Sequence, residues 1–248
     1  MNTTVELSVS IDYSMSRSLG NTSDYSDYLN KVCGRITGYG CLGQQCETVE
    51  IGRLRLYVIQ VGNATNDSAD LNGVFDTTQE TLDAGSVVYD GSYHEFEPTV
   101  AMLFEDAFPT DDLLLLDRLE IYPPFRGQKL GLTILHQAIR DWSGGCSLAV
   151  MKPFPLQFGA AVKKSESWSQ LRLDTFPSKK ATAFSRLRAY YEKLGFVRIG
   201  KSEFFALCPK QEMPSAEELK LPDTISIGAD VFTELTAKER VAHEGFEG

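Results

Sequence analysis

The hydrophobic positions of this chain repeat with two periods, and the change between them is sharpest around residue 122. In "DLLLLDRLEI", residues 112 to 121, four consecutive leucines precede a more polar end. A run that is apolar at successive positions is buried on both faces, so it predicts a central strand with a helix layer on each side. From Gln128 to Trp142 the spacing becomes helical. Leu132, Leu135, Ile139 and Trp142 share one face, and "SGG" at 143 to 145 ends the helix. Between the two lies "YPPFRG", a strand that stops on two prolines and turns directly into a helix.

The pattern continues downstream. "CSLAVMKPF" predicts a second central strand, "ATAFSRLRAYYEKLG" a second helix, and "FVRIGKSEFFALCP" one or two final strands. Upstream, "TVEIGRLRLYVIQVG" predicts a strand in which Leu54, Leu56, Val58 and Gln60 alternate with Arg55, Tyr57 and Ile59. The stretch from Thr77 to Phe108 reads as helical in parts, interrupted by Gly85, Gly91 and Pro98. Residues 1 to 50 are rich in Ser, Thr, Tyr, Asn and Gly, and predict a short helix in "SDYSDYLNKVCGRITG" capped by Ser23 or Asp24. Strands alternating with helices indicate an α/β sheet with right-handed crossovers.

Composition narrows this picture. A chain of 248 residues, 42% hydrophobic and 23% charged, has material for a sizeable core in one large or two small domains. The longest apolar run is four leucines, too short to span a bilayer. The N-terminus lacks a basic segment followed by an apolar one, which argues against a secretory signal and for a cytoplasmic location. The net charge of −10 argues against nucleic acid and anionic membrane as partners. Residues 214 to 248 carry eight acidic against three basic side chains, and read as an acidic C-terminal extension to a domain at 1 to 213.

The five cysteines, Cys33, Cys41, Cys46, Cys146 and Cys208, contain no CxxC pair, and the three histidines are scattered. They complete no zinc pattern, so no metal is expected and the cysteines read as free thiols.

The chemistry lies in the turn. A helix N-terminus presents unpaired N–H groups and the positive end of the helix dipole, so a strand running straight into a helix makes an anion cradle. Gly127 permits the turn, and Arg126 can add charge-assisted hydrogen bonds. Read together with "AYYEKLGF" at 189 to 196, "LEIYPPFRGQKLGLTIL" resembles motif A of the GNAT superfamily of acyl-CoA-dependent N-acyltransferases, and "AYYEKLGF" resembles its motif B. The resemblance covers about residues 112 to 208, with the motifs in the family's order. Lys129 stands where the family most often has Gly. Phe184 stands where it often has Asn. An insertion at about 157 to 180 replaces a short connection.

The resemblance implies a mixed, mostly antiparallel sheet with helices on both faces and a splayed pair of central strands. It implies acetyl-CoA as co-substrate, with pantetheine pairing to backbone around Leu119 and Ile121. The pyrophosphate would lie on Arg126, Gly127, Gln128, Lys129, Leu130 and Gly131. Tyr191 is then the general acid for the departing thiolate, whereas Tyr190 points about 100° away and is read as core. Glu120 is the candidate base, with an ion pair to Arg118 as the alternative, and Asp117 is the other carboxylate on this strand. Basic residues Lys163, Lys164, Lys179, Lys180, Arg186 and Arg188 read mostly as a solvated face, or as contacts to the cofactor's 3′-phosphate. The acceptor is an amine, on a small molecule or a protein, and a homodimer is left open. The rival readings are a degenerate acyl-CoA sensor or protein-interaction module, and a nucleotide-binding protein, for which a GK[ST] loop is missing.

Overall fold

The computed structural model describes residues 3–15, 25–105, 112–159, 170–209, 211 and 213–244. Among them, eight strands form one sheet: β1 (Thr4–Met15), β2 (Leu29–Leu42), β3 (Gln45–Ile59), β4 (Asp112–Ile121), β5 (Cys146–Met151), β6 (Val197–Arg198), β7 (Phe205–Leu207) and β8 (Thr224–Gly228). Their order across the sheet is β6-β7-β5-β4-β3-β2-β1-β8. Only β4 and β5 pair in parallel; every other neighbouring pair is antiparallel. A parallel pair requires a crossover. Here it is α5 (Leu130–Trp142), which begins two residues later than the apolar spacing predicts.

Helices cover both faces, because successive strand residues point to opposite sides. Between β3 and β4 run α1 (Val61–Asn66), α2 (Leu71–Phe75), α3 (Gln79–Val88) and α4 (Pro98–Ala101). Their apolar side chains form one core with Tyr57, Ile59, Leu113, Leu115, Leu148 and Val150. On the other face, α5 packs Leu132, Leu135 and Ile139 against Leu54, Leu56, Leu114 and Leu116. Tyr190 and Tyr191, from α6 (Lys180–Tyr191), pack against this second core. The four leucines of β4 are thus shared between the two cores, each burial contributing about 1.5–3 kcal/mol.

A bulge interrupts the pairing of β3 with β4. Arg55 faces Arg118 and Leu56 faces Leu116, which leaves Asp117 as an extra residue. Beyond it the side-chain alternation is inverted. Leu119 and Ile121 join the α5 core, and Arg118 and Glu120 turn to the opposite face.

Several expectations are corrected. The N-terminal fifty residues hold two long strands, and the helix expected there is a single 3-10 turn, Tyr25–Tyr28. Its proposed caps, Ser23 and Asp24, lie outside the described residues. The acidic C-terminal extension, by contrast, is compatible with its reading: part of it packs on the domain as β8, antiparallel to β1, and α7 (Ala229–Glu244) follows. The cysteines are not all free. The two-residue turn at Gly43 and Gln44 sets Cys41 directly opposite Cys46, and the two form a disulfide. Cys33, Cys146 and Cys208 remain free thiols, of which Cys33 is exposed.

Candidate active site

The pairing of β4 with β5 ends at Leu116 and Met151, but β4 continues to Ile121. From Asp117 onward no strand among the described residues lies on the β5 side of β4, because Lys152 and Pro153 leave the sheet. A cavity of about 540 Å³ occupies this gap. That volume lies in the range of small-molecule sites. Its walls are the open edge of β4, the start of α5, the last turns of α6 and part of the insertion. Both Leu119 and Ile121 on one side of the strand, and Arg118 and Glu120 on the other, line it. The cavity therefore follows the strand edge from one face of the sheet to the other.

Nine of the ten sequence-predicted site residues meet here: Leu119, Glu120, Ile121, Arg126, Gly127, Lys129, Leu130, Gly131 and Tyr191. Gln128 is the exception. Its amide is paired with Ser226 of β8, donating to the carbonyl at 2.9 Å and accepting from the N–H at 2.8 Å. The Lys129 ammonium is also turned away, donating to the carbonyls of Leu219 and Lys220 at 3.0 and 3.4 Å. Two side chains of the turn thus hold the C-terminal segment in place.

What the turn offers the cavity is backbone. Lys129, at the helix N-cap, is left-handed (φ 60°) and supplies no side-chain cap to the start of α5, where the Leu132 N–H donates to Lys129 O at 2.9 Å and also meets the Tyr190 hydroxyl. Gly127 has φ 85°, a conformation in which a side chain is strained, and the space beside its Cα is open. Arg126 serves the wall. Its Nε donates to Ile121 O at 2.8 Å, its Nη2 donates to Leu171 O at 2.6 Å, and its guanidinium lies 4.6 Å from the Phe176 ring. Burial lowers its pKa from the usual arginine value.

The described part of the insertion borders this end of the cavity, with Leu171, Leu173 and Phe176 in its lining and the two leucines packed on Tyr122 and Leu156. Residues 160–169, including Lys163 and Lys164, lie outside the described residues.

Tyr191 and Tyr190 both line the cavity, their ring centroids 5.7 Å apart. Tyr190 packs against the core, as its helical position suggested, and lines the cavity as well. Its hydroxyl reaches the first turn of α5, at Gly131. Burial pushes the Tyr190 phenol up to about 12, with the Leu132 N–H acting in the opposite direction. Burial raises Tyr191 as well, reinforced by Tyr190. Both phenols stay protonated at neutral pH.

Charged groups gather where the cavity reaches the far face of the sheet. Asp117 pairs with Arg55. Burial raises the Asp117 pKa, with the Arg55 guanidinium opposing it. Glu120 Oε1 stands 2.7 Å from Arg118 Nε, the ion pair anticipated as its alternative role. The strand pattern alone did not reveal the hub beside them. Glu50 accepts from Tyr122 Oη at 2.7 Å, Arg53 Nε at 2.8 Å and Arg35 Nε at 3.0 Å. Among the described residues no group of His, Cys, Asp and Glu is arranged to hold a metal ion, and no helix is long and apolar enough to cross a membrane.

Comparison of the chain with known protein families, with curated proteins and with solved structures finds no match.

Proposed function

We propose that this cavity binds an acyl-CoA, acetyl-CoA first, and transfers the acyl group to a primary amine, in the manner of the GNAT superfamily. The observation that carries the reading is the joining of three features in one cavity. These are the unpaired edge of β4, the start of α5 and the Tyr191 phenol. The open edge offers backbone groups to an extended amide-bearing chain, and the helix start offers N–H groups and a dipole to phosphates. The apolar lining from Leu119, Ile121, Leu130 and Leu135 suits a pantetheine arm. Lys129 and Gln128 would contribute through their backbone, since both side chains are engaged elsewhere.

The reaction is a direct displacement. The amine nitrogen attacks the thioester carbonyl carbon, the C–N bond forms, the C–S bond breaks, and the thiolate takes a proton. Tyr191 supplies that proton: its phenol lines the cavity and is protonated at neutral pH. Glu120 takes a proton from the attacking amine, directly or through water, once its contact with Arg118 opens. A cytoplasmic location belongs to this reading; the Cys41–Cys46 bridge is the feature that asks for an oxidising setting.

The test is calorimetric titration with acetyl-CoA, followed by release of free thiol with a panel of amines. Saturable binding and amine-dependent release are expected. Binding with no turnover on any amine would favour an acyl-CoA sensor, and absence of binding would end both readings.

A further inference from the structure

The face of the sheet onto which the cavity opens past Arg118 carries an unusual row of arginines. Directly paired residues of antiparallel strands project to the same face. Arg35 of β2 pairs with Arg53 of β3, which pairs with Glu120 of β4. Two residues along, Arg55 pairs with Arg118. Two arginine–arginine pairs therefore stand side by side, an arrangement that is destabilising unless anions lie between them. Three carboxylates serve the four guanidinium groups. Glu50 serves both Arg35 and Arg53, Asp117 serves Arg55, and Glu120 serves Arg118.

The last of these pairs is imperfect. Arg118 Nε is buried, yet it lies off the hydrogen-bonding direction of Glu120 and finds no other acceptor among the described residues. Of the four arginines, Arg118 is the one that lines the cavity. In a chain of net charge −10, the inner end of the cavity thus presents an under-satisfied guanidinium beside a carboxylate. A ligand of matching charges is a zwitterion. Its carboxylate would take the planar fork of Arg118 and its ammonium would take Glu120, so each half of the internal pair gains a better-aligned partner.

We infer that the acceptor is an amine bearing its own carboxylate, a free α-amino acid, held by Arg118 and Glu120 at the far-face end of the cavity. This rests on the acyl-transfer reading. The ammonium end then lies at the group that is to deprotonate it, at the same open strand edge that would carry the thioester. A polyamine or a protein lysine side chain would bring a cation to Glu120 but no carboxylate for Arg118, and both are disfavoured.

Thiol release from acetyl-CoA should be measured with the twenty standard α-amino acids, each as free acid and as methyl ester, beside spermidine and a lysine-containing peptide. At least one free acid is expected to exceed its ester by about 10- to 100-fold in kcat/KM, the range for a hydrogen-bonded charge. Arg118→Met should erase that preference and keep acetyl-CoA affinity. Arg118→Lys, which preserves the charge if Met disturbs folding, should keep part of it. Equal turnover of acid and ester, turnover confined to spermidine or the peptide, or a preference unchanged in both variants would overturn the inference. Saturation-transfer NMR of the same acids and esters, with coenzyme A present, separates the two readings. Acid-selective binding that Arg118→Met abolishes, without turnover, would uphold the pocket and locate the failure in acyl transfer. Binding of no free acid would overturn the pocket itself.

Discussion

The hydroxyl of Tyr190 lies 2.7 Å from the point that a Cβ on Gly131 would occupy, and the next nearest atoms are 3.6 Å away. A single oxygen therefore decides whether the first turn of α5 tolerates a side chain. Gly131→Ala should gain about 0.5–1 kcal/mol of helix propensity but lose about 1–3 kcal/mol to overpacking. Tyr190→Phe removes the obstructing atom, so the double variant should recover stability lost by Gly131→Ala. Urea midpoints of the four proteins in this cycle check it; strictly additive effects would show that the contact is not limiting.

Arg126 ties the turn to the insertion through the carbonyls of Ile121 and Leu171. Arg126→Ala should cost about 1.5–3 kcal/mol, the range for hydrogen bonds from a charged group. It should also speed hydrogen exchange in residues 170 to 177 and weaken acetyl-CoA binding by loosening the wall. Unchanged exchange in that segment would contradict the role assigned to this side chain.

Glu50 carries a pH signature. Burial raises its pKa, but the Tyr122 hydroxyl, Arg53 and Arg35 together outweigh burial and leave it below the usual glutamate value. A depressed folded pKa stabilises above the unfolded value, about 4.3, and that stability is lost as pH falls through the folded value. Glu50→Gln should therefore destabilise by about 1 kcal/mol at pH 7, after allowance for the exposed arginines. The difference from the parent should shrink toward pH 3. Denaturation midpoints at both pH values check the sign.

How far the sequence spoke depended on the range of the interaction. The four leucines of β4 and the helical spacing of α5 report their own burial; β4 stands where the pattern puts it, and α5 starts two residues later and ends where expected. In β1, Val5, Leu7, Val9, Ile11 and Tyr13 do alternate, but the intervening Glu6, Ser8, Ser10 and Asp12 of a solvated face dilute the signal. The β8 pattern, Ile225 and Ile227, is shorter still and sits in an acidic stretch. The bulge at Asp117 depends on the register of β3, and the Arg126–Leu171 contact spans the insertion. Neither leaves a local mark. The bridge of Cys41 to Cys46 escaped because their spacing becomes a contact only through the hairpin turn. The convergence of nine predicted residues on one cavity was legible because two short motifs at either end of the α5–β5–α6 unit carried it.

The thiols give a simple check on the hairpin. Without reductant, alkylation of the folded protein should label Cys33 alone, since Cys146 and Cys208 are buried and the other two are bonded. Unfolding without reductant should expose three thiols, and reduction five. Reduction should cost at most about 2 kcal/mol, because the loop it opens is short. Five reactive thiols in the unreduced, unfolded protein would contradict the bridge.

Acyl transfer with Tyr191 as the acid is the central claim, and the turnover of Tyr191→Phe measures it most directly. The ring's packing remains, so acetyl-CoA affinity should hold within about twofold while chemistry-limited turnover with a competent amine falls about 10²- to 10⁴-fold, the range for a lost general acid. Tyr190→Phe should act mainly on binding, since its hydroxyl stands at the first turn of α5. Near-normal turnover in Tyr191→Phe, with chemistry limiting the rate, would contradict the account.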